Sequence, residues 1–255
     1  MSTQLLFAQN QPKKSSFIDN ANFGFIGQGN FSNTFNKDAV FTGKGFSFSN
    51  AFLLAYGTID KHFYYTLMVN AVKDPILADA YIGYKYNKAF RVQLGAMRPM
   101  MSLDFLPDAS VADFIHRTKI SGHLVQAREV GLAVLGDIKN LHYYLGIYNG
   151  NKLSLKNNNN NFYYMGRLQY SFHNVGNGTL KIGANGAYGD STMMQIGHGG
   201  PFVSNNRTIY GGDVFWKHNK MFVKAEYLQG EYDTQIQNSE TVRDLLSGYY
   251  ATVGY

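Results

Sequence analysis

Apolar and polar residues alternate one by one along most of this chain. In the segment 162–172, every second residue is apolar or aromatic apart from one glycine, and the positions between them include Arg167 and Gln169. Successive residues of an extended strand point to opposite faces, so this segment is predicted to be a strand with one apolar and one polar face. The pattern recurs in about twelve segments, with approximate cores at 21–29, 46–58, 62–72, 77–86, 90–98, 128–137, 141–148, 162–172, 179–189, 208–218, 220–230 and 247–255.

The length of these segments indicates a membrane. Strands of soluble proteins average about 5 to 6 residues, whereas these run to roughly ten. Ten residues span roughly 33 Å, and a tilt of about 45° leaves roughly 23 Å of height. That height matches the apolar band of outer-membrane β-barrels, which is about 25 Å tall.

Short and long connections alternate along the chain. Tight turns are predicted at 60–61, 87–89, 138–140 and Asn219, and longer polar loops at 149–161, 191–207 and 231–246. Short turns at one end and long loops at the other are typical of outer-membrane barrels. The predicted fold class is therefore all-β, an antiparallel up-and-down transmembrane β-barrel with strands paired in chain order. A short helical turn fits only 107–120 and 240–246.

Composition narrows the class further. Charged residues make up 16% of the chain, below the roughly 25% of an ordinary soluble domain. There is no run of about 18 apolar residues that would form a membrane-spanning helix. The net charge is +6, but the basic residues are spread along the chain rather than clustered as in nucleic-acid-binding proteins. The chain has no cysteine, which excludes disulfides and zinc–thiolate sites.

One connection differs from the others. The insertion at about 99–127 is rich in apolar residues, which favours burial inside a barrel over the alternative of an ordinary surface loop. Folded inward, it would narrow the pore and place positive charge at the constriction. The candidate constriction residues are Arg98, Arg117, Lys119 and Arg128, and His116 and His123 lie between them. Asp104, Asp108 and Asp113 could neutralise these cations locally.

Charged residues on the polar faces of the strands are predicted to point into the lumen. An Arg or Lys at the lipid midplane costs about 2–4 kcal/mol, which disfavours the opposite orientation. The candidates are Arg91, Arg167, Lys181, Lys217, Lys224 and Glu226.

The first nineteen residues are predicted to lie outside the barrel, which takes up 20–255. Leu5 to Gln9 resemble the end of a secretory signal, but no basic region precedes them. The segment is therefore either a remnant of a signal peptide or an ordinary N-terminal tail.

From Gly45 to Gly150 the chain resembles the phosphate-selective porin O and P family. The segments that carry the resemblance are, in order, GFSFSNAFLLAYGTI, LADAYIGYKY, FRVQLGAMRPM, FIHR, AREVGLAVLG and LHYYLGIYNG, with LLSGYYATVGY near the end. The resemblance implies a sixteen-stranded, homotrimeric anion channel with an inward-folded loop, so the chain is interpreted as truncated at both ends. The alternative is a complete twelve-stranded barrel. The family often has two arginines where this chain has Ser49-Asn50, which weakens the case for phosphate selectivity.

The resulting hypothesis is a bacterial outer-membrane porin. It would let small solutes diffuse passively, with a weak preference for anions, phosphate or similar ones by resemblance. Its partners would be outer-membrane lipid and small anionic or polar solutes. The alternative is a non-conducting surface or adhesion protein on a β-barrel or β-sandwich. No complete catalytic or nucleotide-binding motif such as GxSxG, HExxH or a P-loop is present, so no enzyme activity, cofactor or metal is expected.

Overall fold

A computed structural model describes most of the chain. The described residues are 4–9, 20–33, 44–107, 117–125, 128–154, 156–191, 194–196, 200–235 and 241–255. The chain forms two compact units, one built on Met1–Ile82 and the other on Gly83–Leu106 and Arg117–Tyr255.

The described residues form thirteen strands and one short helix. The strands of the first unit are β1 (Gln4–Gln9), β2 (Asn20–Asn33), β3 (Lys44–Thr58), β4 (Phe63–Asn70) and the larger part of β5 (Leu77–Lys85). Those of the second unit are β6 (Arg91–Met97), β7 (Glu129–Ile138), β8 (Leu141–Tyr148), β9 (Tyr163–Val175), β10 (Gly178–Asp190), β11 (Val203–His218), β12 (Met221–Gln235) and β13 (Thr241–Gly254), together with helix α1 (Lys119–Leu124).

Within each unit the strands are hydrogen-bonded in chain order. The pairs β2–β3 and β3–β4 of the first unit and all neighbouring pairs from β6 to β13 are antiparallel. The predicted antiparallel up-and-down arrangement is therefore confirmed. The predicted alternation of connections is seen as well: two-residue turns join β7 to β8 and β11 to β12, whereas longer segments join β8 to β9 and β10 to β11.

In the second unit the apolar face of the sheet is exposed and the polar face is buried. Along β9, Tyr163, Met165 and Arg167 are buried, while Tyr164 and Leu168, at alternate positions, are about half exposed. A soluble sheet does the reverse, burying its apolar face and exposing its polar one. We call the buried side of this unit the polar face and the other side the apolar face. The large exposed side chains of the apolar face include Leu94, Leu132, Leu145, Ile147, Tyr164, Leu168, Tyr170, Ile182, Tyr188, Tyr210, Val223, Tyr227, Tyr249 and Val253.

The first unit has a small core and a ladder of amides. Ile26, Phe52 and Ala78 are buried together. Beside them the Asn50 side chain donates to Gln28 Oε1 at 2.6 Å and accepts from Asn70 Nδ2 at 2.8 Å. The amide of Asn50 is thus engaged by residues of both neighbouring strands.

Three features differ from the sequence-based expectation. Strand β1 lies in the segment expected to be a signal remnant or tail, and the alternation did not single it out. The helical turn considered for 240–246 is wrong, since 241–246 belongs to β13. Helix α1 starts at Lys119 and so overlaps only the end of the other helical candidate, whose residues 108–116 lie outside the described part of the chain.

The tight turn between β7 and β8 contains a residue in a strained backbone conformation. Lys139 has a φ of 53°, a left-handed conformation that costs a non-glycine residue about 1–2 kcal/mol. We expect Lys139→Gly to stabilise the folded protein by about 1 kcal/mol, because glycine adopts this conformation freely. Asn140→Gly is the matched control and should lower stability, since glycine there only adds freedom to the unfolded chain. Urea midpoints in detergent that shift the same way for both variants would contradict this account.

Candidate functional site

The polar face of the second unit concentrates buried charge. Seven of its strand residues with charged or amide side chains are less than 9% exposed: Glu129, Arg167, Asn185, Arg207, Asp213, Lys224 and Glu226. Charged side chains are almost never this buried unless they are paired or hydrogen-bonded, so their partners define what the face does.

The central feature is an ion pair between β9 and β11. Arg167 donates from Nη1 and Nη2 to the two oxygens of Asp213, at 2.5 and 2.9 Å. The pair reaches across β10 at Gly183, which lies opposite Asp213 in the register. A Cβ at Gly183 would lie 2.5 Å from Arg167 Nη2 and 2.7 Å from both Asp213 oxygens. The absence of a side chain at Gly183 is therefore what lets the two charges meet over the intervening strand.

Glu226 on β12 holds the first half of the insertion. Its carboxylate accepts hydrogen bonds from Ser102 Oγ at 2.7 Å and from the Leu103 backbone N–H at 2.9 Å. Tyr250 of β13 donates to the same carboxylate at 3.0 Å, on the oxygen that also accepts from Ser102. Arg167 adds a donation to the Met101 carbonyl at 3.2 Å. The segment Met101–Asp104 is thereby bound to the polar face at two charged residues.

The second half of the insertion is tied to the first. The Asp104 carboxylate accepts from the Thr118 backbone N–H at 2.8 Å and from Thr118 Oγ1 at 3.1 Å. Thr118 caps helix α1: its hydroxyl oxygen accepts from the Ser121 backbone N–H and lies 2.8 Å from Ser121 Oγ. The helix packs against β12 and β13 and buries Leu124 completely. Both described halves of the insertion therefore lie on the polar face.

The four constriction candidates occupy different environments. Arg117 donates to the Asp104 carbonyl, and its guanidinium lies 5.3 Å from the centre of the Phe105 ring, so it braces the insertion. Arg98 and Arg128, at the two ends of the insertion, are half-buried. Lys119 at the start of α1 is exposed. Of the three aspartates considered as neutralising groups, Asp104 is engaged by Thr118, and Asp108 and Asp113 lie outside the described residues, as does His116.

The six strand candidates lie on the same side of the sheet by register and parity, but only some are buried together. Arg167, Lys224 and Glu226 are covered. Lys181 is half-buried, with its Nζ 6.0 Å from the centre of the Phe215 ring. Arg91 pairs with Asp137 at 3.0 Å, where His142 Nδ1 also contacts Asp137 at 2.7 Å, close to the tight turn after β7. Lys217 is exposed near the turn after β11.

Sequence reasoning missed three charged residues of this face. Asp213 and Glu129 lie within predicted strands at polar positions, so a full list of charged residues at those positions would have included them. Arg207 falls in a predicted loop because the strand is predicted to start at residue 208, five residues after the observed start of β11 at Val203. The glycine that makes room for the ion pair carries no signal in a single sequence.

The geometry agrees with what comparison with known proteins gives. The family model for phosphate-selective porin O and P matches residues 26–200 of the chain. The chain belongs to this family. Family membership points to a channel in the bacterial outer membrane rather than to an enzyme.

A solved structure shows the same fold. The high-pH structure of OprB from Pseudomonas putida superposes with a TM-score of 0.52 at 13% identity, over 91% of this chain and 74% of that one. At this identity the likeness concerns the fold alone. No curated protein matches the chain in sequence.

Among the described residues, no helix is long and apolar enough to cross a membrane. Nor does any group of three or more His, Asp or Glu side chains there have a geometry that could hold a metal ion.

The ion pair can be tested through its glycine. We expect Gly183→Ala to destabilise the protein by about 1–3 kcal/mol, because the added methyl group overpacks a buried and oriented pair. Gly186→Ala on the same strand is the matched control, since its nearest neighbour would be Ile209 O at 3.8 Å, an ordinary contact. Unfolding free energies from urea titration in detergent check this, and equal losses for both variants would refute the role assigned to Gly183.

The anchor of the insertion can be tested through Glu226. Three donors, Ser102, Leu103 and Tyr250, converge on the Glu226 carboxylate. Glu226→Gln replaces one of its two acceptor oxygens by an NH₂ donor, so these hydrogen bonds cannot all be kept. We expect the Leu103 amide to exchange its hydrogen about tenfold faster, as loss of a hydrogen bond to a charged group favours local opening. Glu231→Gln, which disturbs only the pair with exposed Arg243, should leave this rate unchanged. An unaltered Leu103 rate in Glu226→Gln would show that Glu226 does not hold the insertion.

Proposed function

We propose that this chain is an outer-membrane porin for passive diffusion of small solutes, with a weak preference for anions. The single observation that carries the proposal is the inverted distribution of side chains in the second unit. A sheet that exposes Leu, Ile and Tyr on one face and buries Arg, Asp and Glu on the other suits a wall between lipid and water. The membership of the porin family supports the same conclusion.

In this proposal the strands close into a barrel and the polar face lines the lumen. Closure satisfies the backbone groups of both edge strands, which is required in hydrocarbon because no water is available there. The insertion would then lie inside the lumen and form the constriction, and its anchors on Glu226 and Arg167 support this assignment. Sixteen strands and a homotrimer in outer-membrane lipid are the states that the family resemblance implies.

The buried charges of the polar face are proposed to be structural rather than selective. Glu226 is engaged by Ser102 and Leu103, and both terminal nitrogens of Arg167 are engaged by Asp213 and Met101. Only Nε of Arg167 is left without a partner, so these two side chains have little to offer a passing ion. Selectivity is instead assigned to cations on the insertion and at its ends, chiefly Lys119. Arg98, Arg117 and Arg128 add to the positive electrostatic potential. A few positive charges in a narrow, partly dehydrated passage influence ion selectivity more than many charges at the rim, because the effective dielectric constant in the passage is lower.

The preference is expected to be weak and without a tight phosphate site. Ser49 and Asn50 stand where the family often has arginines, and Asn50 is engaged in the amide ladder with Gln28 and Asn70. Phosphate and similar small anions therefore remain candidate solutes on family grounds, but without the paired cations that would bind them firmly.

Reversal potentials under a salt gradient in planar bilayers test this function. We expect the parent to prefer anions, and Lys119→Ala to lower the anion-to-cation permeability ratio by about twofold to fourfold, as expected for one unit charge a few ångströms from the ion path. Lys220→Ala, in the exposed turn after β11, is the matched control and should leave the ratio unchanged.

Arg117→Ala distinguishes a bracing role from a selective one. Because Arg117 binds the Asp104 carbonyl, its loss should change conductance or current noise more than the permeability ratio. A cation-selective parent, or an unchanged ratio in Lys119→Ala, would overturn the assignment of selectivity. A folded, inserted protein that carries no current would favour the non-conducting alternative.

A further inference from the structure

A second buried polar cluster lies on the same face, near the ends of the strands that lead into the long loops. It consists of Glu129 at the start of β7, Tyr163 at the start of β9, Arg207 near the start of β11 and Tyr232 near the end of β12. We call these four residues the loop-end cluster. Glu129, Tyr163, Arg207 and Tyr232 are each no more than 1% exposed. None of them takes part in the anchoring of Met101–Asp104.

The loop-end cluster leaves an exceptional number of polar atoms without hydrogen bonds. By hydrogen-bond geometry, both carboxylate oxygens of Glu129, Nε and Nη2 of Arg207 and the hydroxyls of Tyr163 and Tyr232 have no partner, although Arg207 lies close enough to the Tyr163 hydroxyl to interact with it. Buried polar side chains are nearly always satisfied by protein or by a bound molecule, and leaving charged ones unpaired is costly. Six such atoms gathered in one place point to a molecule that binds among them.

Arg207 presents a specific edge to that molecule. Its Nη1 donates to the Met194 sulfur at 2.8 Å, and its guanidinium lies 4.2 Å from the centre of the Tyr163 ring. The ring and the sulfur fix the plane of the guanidinium. The two nitrogens left over, Nε and Nη2, form one edge of the fork, with parallel N–H bonds that match the two oxygens of a carboxylate.

This edge is held in place through a glycine of β10, as in the Arg167–Asp213 pair. Gly189 lies between Tyr163 and Arg207 in the register, so no side chain separates the arginine from the ring. Gly189 has a φ of 140°, which residues with a side chain rarely adopt. The approach of Arg207 to Tyr163 is thus built into the backbone.

Glu129 supplies the opposite charge. Its carboxylate faces the backbone of Gly150 and Lys152 but has no hydrogen bond of normal geometry, and its charge interacts with that of Arg207. A buried cation and a buried anion that interact without direct bonding, each with open hydrogen-bonding positions, suit a ligand that carries both charges. A carboxylate would satisfy Arg207, and an ammonium group would satisfy Glu129.

A cavity among the long loops adjoins this position through Met194. It has a volume of about 350 Å³, and its lining includes Asn151, Lys152, Met194 and Phe202. Met194 belongs to both places, since it lines the cavity and accepts from Arg207. The pKa of Lys152 is lowered, first by burial and second by the positive charge of Arg207, so the two cations lie close together.

We propose that the loop-end cluster is a binding site for a small zwitterion, of which an α-amino acid is the simplest, with its carboxylate on Nε and Nη2 of Arg207 and its ammonium group on Glu129. The tyrosine hydroxyls complete its polar contacts. The site rests on the proposed function, as a stage that solutes meet on the loop side before the constriction. A phosphate dianion fits less well, because it would have to approach the Glu129 carboxylate with no group to satisfy it.

Isothermal titration calorimetry of the full chain in detergent tests the site without requiring conduction. We expect L-alanine to bind, propionate to bind about tenfold more weakly for lack of the ammonium group, and inorganic phosphate to bind no better than propionate. Arg207→Lys keeps the charge but removes the fork edge and should weaken L-alanine about tenfold or more. Glu129→Gln should abolish the preference of L-alanine over propionate.

Controls separate this site from folding and from the pore. Arg243→Lys, at an exposed arginine on β13, should bind L-alanine as the parent does. Far-ultraviolet circular dichroism and heat-modifiable gel mobility establish that the variants are folded, and Glu129→Gln serves if Arg207→Lys is not. Absence of heat with L-alanine, or equal affinity for phosphate, overturns the proposal even if the chain conducts. Binding in a chain that does not conduct would uphold the site and reject the pore.

Discussion

The alternation of side chains between the two faces of the sheet is the constraint on which the rest of this structure depends. Because neighbouring residues of a strand point in opposite directions, each strand must encode two surfaces at once. In the second unit one surface is apolar and exposed, and the other is polar and covered. On the covered surface, Arg167 is paired with Asp213 and Glu226 is hydrogen-bonded to Ser102 and Leu103, and these contacts determine where the insertion lies.

Pairing on this face depends on glycines in β10. Gly183 lets Arg167 reach Asp213, and Gly189 lets Arg207 reach Tyr163, in each case across a strand that contributes no side chain. The first arginine binds a carboxylate through both terminal nitrogens and serves as scaffold, together with Glu226, whose carboxylate holds Met101–Asp104. The second keeps an open edge. Two chemically equal residues on one face thus have different roles, because only one of them has a carboxylate within bonding distance.

The roles of the cations follow from the same distinction. Charge that is buried and paired contributes to architecture, whereas charge that is accessible contributes to the field that a solute meets. Arg117 braces the insertion through Asp104 and Phe105, while Lys119, two residues further on, is exposed. Net positive charge alone therefore says little about selectivity. What matters is which cations remain accessible after the structural pairs have formed.

The sequence by itself determined most of the strands, their order and the face on which their residues lie, because these depend on the period of two and on turn residues such as Asn219. It also identified Arg167, Lys224 and Glu226 as residues of the polar face, and it predicted from apolar content that the insertion is buried. It missed β1 and the first residues of β11. The tertiary structure alone decided which charges meet: Arg167 with Asp213 rather than with a solute, and Glu226 with Ser102, more than a hundred residues away in the chain. Such partners depend on the register between strands that are not adjacent in sequence, and a pattern read along one strand contains no information about that register.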